Sequence, residues 1–321
     1  MFKVSSEGLT LIYGPPGAGK TTLAVKIASE ISDKILWIST TESPKFLKKI
    51  AARLGADLTK FNFLDFPRAF REDIIKYIIE HIYRYEALVI DSINGISYSL
   101  PNLEKLAHSV LYQISQERPV VLVSEEGSTK LHYISDHIFH IWYRKNSLGH
   151  IIRYLQLEKS RSQPPSPRYL IEFLEDGIFY VYTKEKTTSF EIVYDPHLNA
   201  KIVRGGELCI AATDLEKLLR LLQEIKNKSI FIQIGPLSIF KRLGFREEEL
   251  FTVKTFQDLF KLIRMDRRGL RYLVVSGFLN LNNDEVLDYE VVLSTILDNV
   301  ESLIYVEEDL KKLNCLQTLQ I

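Results

Sequence analysis

A chain of 321 residues, 46% hydrophobic and 26% charged, is long enough for about two packed cores. Its 41 basic and 41 acidic side chains cancel, and neither half departs far from balance, so bulk charge points to neither a nucleic-acid nor an anionic membrane partner. No run approaches the roughly 20 apolar residues of a membrane span, and the start lacks a basic stretch leading into an apolar one, so a soluble, cytoplasmic protein is expected.

In chain order, short apolar runs alternate with helical patterns: "LTLIYG" before a helix from Lys20, "KILWIS" before "SPKFLKKIAARLG", "FNFLDF" before "REDIIKYIIEHIYR", "ALVIDSI" before "LEKLAHSVLYQIS", then "VVLVSEE". That rhythm predicts a parallel sheet with helices on both faces. "IFHIWYR", "IIRYLQLEK", "RYLIEFL" and "IFYVYTK" follow with turns between them, the pattern of an antiparallel extension. The prolines of "SRSQPPSPR" keep that stretch out of the ladder. Residues 184–204 are polar enough to be a linker or bridging strands, which divides the chain into 1–183, a linker, and 205–321.

From Gly206 the α/β rhythm restarts, and five elements parallel those of the first half in the same order. "GELCIAATDLEKLLRLL" answers "GLTLIYGPPGAGKTTLAVKI", and "SLIYVEE" answers "VVLVSEE" with the final glutamates matched. Two doubly wound domains share such a rhythm without common origin; the repeated "RLG" and closing "EE" favour duplication.

"GPPGAGKTT" satisfies the G-x-x-x-x-G-K-[ST] pattern directly after a strand and at the opening of a helix. The backbone of Gly14, Pro15, Pro16, Gly17, Ala18 and Gly19 would wrap phosphate oxygens, with the helix N-terminus adding a favourable dipole. Lys20 would reach the β and γ phosphates and Thr21 would ligate Mg²⁺, while Thr22 packs or neighbours the α-phosphate. Asp91, at the end of a buried strand, stands where a carboxylate could bond the metal's water. Glu42 ends the neighbouring strand; spacing alone leaves it as either the group that orients the attacking water or an acid before a helix N-terminus.

These stretches, with "WISTTES", "ISDHIFHIWY" and "IIRYLQLEKSR", resemble the RecA/KaiC superfamily of ATPases over about residues 8–182, and most nearly archaeal KaiC-like proteins and RadB-type recombinase paralogues. The resemblance implies a RecA-like α/β core binding ATP and Mg²⁺, with Glu42 as the catalytic glutamate. It also implies that Lys159 and Arg161 match a Lys-x-Arg pair that reaches a neighbouring subunit's γ-phosphate, hence a homo-oligomer. Two positions depart from it: Thr41 replaces the first of two adjacent glutamates, and Ser162 replaces a glycine after the pair.

In the second half, Ala211, Ala212, Thr213 and Asp214 replace the phosphate-cradling residues, Ser276 stands for Asp91, and Gly235 and Pro236 for Glu42. Thr213 or Asp214 would cap the helix where phosphate would sit, so a degenerate RecA-like domain without the chemistry is expected. Cys209 and Cys315 fit no disulfide framework or zinc pattern and read as small buried apolar residues. His132, His137 and His140 read as core or surface residues. The clusters Lys241, Arg242, Arg246 and Arg267, Arg268, Arg271 are solvated faces or, on a recombinase-like reading, DNA contacts. The expectation is a slow, Mg²⁺-dependent ATPase whose nucleotide state controls assembly or a partner; the alternatives are a non-hydrolysing scaffold and a RadB-like accessory in DNA repair.

Overall fold

The computed structural model describes residues 7–66, 73–97, 107–125, 129–174, 177–181, 191–265, 269–295, 300–313 and 315–320. They form two compact units, residues 1–143 with 153–180 and residues 144–152 with 181–321.

Unit 1 is built on the strands β1 (Leu9–Tyr13), β2 (Ile35–Ser39), β3 (Phe61–Asp65), β4 (Ala87–Asp91) and β5 (Val120–Ser124). Every residue of β2, β4 and β5 is buried, as expected of parallel strands covered on both faces. They pair in parallel in the order β3-β2-β4-β5-β1. The sheet continues through β6 (His137–Lys145), β7 (Ile151–Lys159), β8 (Tyr169–Leu174) and β9 (Gly177–Val181). β6 is parallel to β1, and β7 and β8 are antiparallel.

The helices α1 (Lys20–Ile31) and α2 (Pro44–Arg53) bury Leu23, Ile27, Leu47 and Ile50 against Trp37 and Val89. α3 (Asp73–His81) and α4 (Ile93–Ser97) bury Ile74, Ile78 and Ile93 against Leu36, Ile38, Leu88 and Ile90. The period-two alternation of β2 and β4 thus feeds two cores at once. Where a helix over "LEKLAHSVLYQIS" is expected, a π-helical turn at Ala107–Leu111 leads into the short α5 (Tyr112–Ser115), and residues 98–106 lie outside the described part. α6 (Thr129–Ile134) precedes β6.

Unit 2 has a two-stranded antiparallel hairpin, β10 (Ile192–Asp195) and β11 (Ala200–Val203), within the stretch read as linker or bridging strands. Its main sheet holds β12 (Gly206–Ala211), β13 (Ser229–Gln233), β14 (Leu250–Thr252), β15 (Tyr272–Ser276), β16 (Ser302–Glu307) and β17 (Gln317–Gln320). α7 (Leu215–Ile225), α8 (Ile239–Arg242), α9 (Phe256–Arg264) and α10 (Asn283–Ser294) complete it.

The order β14-β13-β15-β16-β12-β17 repeats β3-β2-β4-β5-β1-β6 strand for strand. Even the bond that ties the ends of two neighbouring strands recurs, as Thr40 N–H to the Asp91 carbonyl (2.8 Å) and Ile234 N–H to the Ser276 carbonyl (2.9 Å). Unit 2 is therefore a second RecA-like α/β sheet, and β17 supplies a sixth counterpart that its short "QTLQ" pattern concealed.

Two expectations are corrected. Cys209 and Cys315 are bonded to each other across 106 residues, with Cα atoms 5.7 Å apart, because the fold brings the start of β17 alongside β12. Such bonds are rare in reducing compartments outside hyperthermophiles. The matching of the closing glutamates also slips by one: Tyr13 pairs with Ser124 and Ala211 with Glu307, so Glu307 takes the place of Ser124 rather than of Glu125.

Candidate nucleotide site

The carboxyl ends of β1, β2 and β4 meet at one edge of unit 1, where an open parallel sheet holds ligands. β1 runs into the loop Gly14–Gly19, and Gly14, Gly17 and Gly19 all have positive φ. At Gly14 a Cβ would lie 1.7 Å from the Ile141 carbonyl oxygen, so no side chain fits. At Gly19 (φ 107°) it would lie 2.1 Å from the Phe173 ring, which locks the loop's last residue against β8. Ala18 is buried, whereas Pro16 and Gly17 are exposed at the tip. Lys20 Nζ donates to the carbonyls of Gly14 (2.7 Å) and Pro15 (2.9 Å), folding the lysine over its own loop. Thr22 is buried against the core side of α1.

Asp91 is 3% exposed. Burial raises its pKa from 3.8 to about 6; a hydrogen bond from Thr21 opposes the rise, the charge of Glu42 adds to it, and Lys20 opposes it. Its Oδ2 has no hydrogen-bond partner among the described residues. A buried carboxylate oxygen left unpaired beside a threonine hydroxyl fits a hard cation or a cation's water, so Thr21 and Asp91 suit Mg²⁺.

Glu42 is held by the end of β2, where its N–H donates to Ser39 Oγ at 2.9 Å. The helix that follows is capped by Ser43, whose Oγ accepts from Phe46 N, with Pro44 in its first turn. Glu42 therefore stands before the cap and lines a cleft of about 370 Å³ with Gly17, Gly19, Lys20, Thr21 and Thr22. Thr40 Oγ1 donates to the Ser92 carbonyl (2.8 Å) and accepts from Ser92 N–H (3.0 Å), clamping the ends of β2 and β4 together. The supports Thr40, Ser39 and Phe173 carry no motif in the sequence; only the strand pairing reveals them.

Lys159 and Arg161 are not brought to this cleft. Lys159 Nζ donates to the carbonyls of His132 (3.3 Å) and Tyr133 (3.4 Å). Arg161 Nε pairs with Asp136 at 2.8 Å, and Asp136 also accepts from Leu9 N–H. His140 stacks on Tyr13 and lies 3.3 Å from Glu158; His132 tilts against the same tyrosine, and burial lowers its pKa. His137 Nδ1 lies 2.8 Å from Ser160 Oγ. No group of three or more potential metal ligands among His, Cys, Asp and Glu occurs among the described residues.

In unit 2 the Asp214 side chain accepts from Glu216 and Lys217 N–H, both at 3.1 Å, and caps α7 where a phosphate loop would end. The buried Glu307 carboxylate accepts from the Gly277 and Phe278 amides and from Ser276 Oγ. The strand ends of this sheet are thus filled by the chain's own acids. Gly235 has no room for a side chain, since a Cβ would meet the Gly277 carbonyl oxygen at 2.4 Å. Of the basic clusters, Arg271 is committed to Glu301 and Asp195, Arg242 to Glu308, and Arg246 to Glu248; Arg267 and Arg268 lie outside the described residues.

Residues 3–131 match the family model described as an AAA domain. The chain is 29% identical over 208 residues to the DNA repair protein RadA of Helicobacter pylori, covering 58% of this chain and 44% of that protein. It is 37% identical over 93 residues to the protein of the same name from Campylobacter jejuni, covering 27% and 20% respectively. It is 32% identical over 85 residues to a cytidylate kinase of Saccharolobus islandicus, covering 26% and 42%. The chain spans less than half the length of each of these relatives. The matched stretch contains the loop from Gly14 to Thr22 with its three positive-φ glycines, so unit 1 is similar to P-loop nucleotide-binding domains. Among the described residues no helix is long and apolar enough to cross a membrane.

Proposed function

We propose that unit 1 binds ATP with Mg²⁺ and hydrolyses it slowly, its nucleotide state governing self-association or a partner, in the manner of KaiC-like or RadB-type proteins. The observation that carries this is the buried Asp91 carboxylate, with one oxygen unpaired and Thr21 and Lys20 beside it at the mouth of the loop. The amides of Gly14 to Gly19 would take phosphate oxygens, and Lys20 would leave its two carbonyl partners for the β and γ phosphates. Thr21 and Asp91 would hold Mg²⁺, which when bound neutralises phosphate charge. Glu42, across the cleft, would orient the attacking water and accept its proton.

Lys159 and Arg161 would act on a neighbour's nucleotide only after giving up His132, Tyr133 and Asp136, so assembly would be the step that frees them. Steady-state ATP hydrolysis per protomer against protein concentration tests the proposal, with Lys20→Ala and Arg161→Ala alongside. A rate that climbs with concentration and falls in both variants is expected. ATP bound without turnover at any concentration would strip Glu42 of its catalytic part and leave a nucleotide-dependent scaffold. The RadA names of the relatives favour a second reading, an accessory to DNA repair. The acid partners of Arg242, Arg246 and Arg271 weigh against those residues as its DNA contacts.

A further inference from the structure

The cleft at the phosphate loop has a second wall that the loop motif does not describe. Phe46, Lys49, Ile50 and Arg53 line it, at the three- and four-residue spacing that puts side chains on one face of a helix, with Glu42 just ahead of that helix. α2 reads "PKFLKKIAAR" and holds no acidic residue. Lys49 and Arg53 are exposed and make no ion pair among the described residues, whereas many other cations of the chain have acid partners. Two positive charges without an ion-pair partner among the described residues therefore face the same 370 Å³ space as Gly17, Gly19, Lys20 and Thr21, with Glu42 as the acid of that lining.

Positive charge left unpaired on a cleft wall strengthens the binding of whatever negative charge enters there. The loop amides would meet the inner phosphates of a nucleotide, which a diphosphate already supplies, while Lys20 would bridge the β and γ phosphates. The added charge of a triphosphate would enter the cleft beyond the loop, where Glu42 stands and the cations of α2 line the wall. We propose that Lys49 and Arg53 recognise the terminal phosphate, so that α2 makes the site prefer nucleoside triphosphate over diphosphate. This rests on the proposed nucleotide reading of unit 1. It also gives that reading a sensor: α2 follows β2 directly, so loss of the terminal phosphate would release the wall that carries Glu42.

The test is equilibrium binding of ATP and of ADP, each with Mg²⁺, to the full chain, to Lys49→Ala/Arg53→Ala, and to Lys45→Ala/Lys48→Ala as a control on the same helix outside the cleft lining. The cleft variant should lose about tenfold in ATP affinity and less than about twofold in ADP affinity. The control should leave the ratio of the two unchanged, and Lys49→Arg/Arg53→Lys should restore it. If the wild-type chain binds ATP and ADP and the cleft variant keeps their ratio, the inference is wrong while the nucleotide reading stands. If the wild-type chain binds neither, both fall.

Discussion

Replacing Asp91 by asparagine should stabilise the nucleotide-free protein at neutral pH while damaging its proposed metal function. The carboxyl titrates near pH 6 instead of 3.8, chiefly because burial disfavours its charged form. That difference corresponds to about 3 kcal/mol at about 1.4 kcal/mol per unit. Below 3.8 the group is protonated in folded and unfolded chains alike and costs nothing. As pH rises through about 6, the unfolded chain has already ionised while the folded one must ionise a buried group, so stability falls. The side-chain amide of the Asp91→Asn protein would remain neutral throughout. The variant should therefore match or trail wild type at pH 4, and exceed it at pH 8 by up to about 3 kcal/mol, less whatever the altered Thr21 bond costs.

Urea unfolding followed by tryptophan fluorescence reads this cleanly, because Trp37 and Trp142 both belong to unit 1. Other titrating groups cancel in the difference between the two proteins. An Asp91→Asn protein that is no more stable than wild type at pH 8, with the same offset at pH 4, would refute a buried, uncompensated carboxylate at the site. Added Mg²⁺ with ATP should close the gap from the wild-type side, since the ligand gives the charge a partner.

Gly19→Ala should destabilise unit 1 by roughly 2 kcal/mol or more and abolish nucleotide binding, because the added methyl meets Phe173 at a φ of 107°. Gly17→Ala, also at positive φ but with open space around it, should cost roughly 1 kcal/mol; equal losses in the two variants would rule out the Phe173 contact. Cys315→Ser should lower the stability of unit 2 by about 2–4 kcal/mol, below the chain-entropy ceiling of about 4.7 kcal/mol for a loop of about 100 residues. Circular dichroism during chemical unfolding, with and without reductant, checks that value, and a wild-type curve unmoved by reductant would mean that the bond is not formed.

What the sequence can say about the site is local. The loop from Gly14 to Thr22 is legible because positive φ, close backbone approach and a helix start each require particular residues at fixed offsets. Asp91 is legible as the end of an apolar run beside that loop, and Asp214 as a cap because three residues suffice to define one. Glu42 has two possible local roles in the sequence; in the structure it stands immediately before the Ser43 cap and also lines the cleft, a position compatible with both.

The rest belongs to pairings between distant segments. A one-residue slip between "VVLVSEE" and "SLIYVEE" hardly alters an all-apolar pattern, so only the ladder shows Glu307 in the place of Ser124. The bond between Cys209 and Cys315 depends on β17 lying beside β12, a neighbour relation that no spacing rule contains. The Lys-x-Arg pair is legible only as charge, and its partners, two carbonyls of α6 and Asp136 just before β6, are brought to it by the pairing of β6 with β1. The cationic wall of α2 is plain in composition, but its meaning needs the cleft. By itself the chain determined most of its strands and helices and its glycine-rich loop, because these follow from neighbours within about one turn. The tertiary structure alone decided which charges remain unpaired and what they face, because charge compensation depends on distance through space, not along the chain.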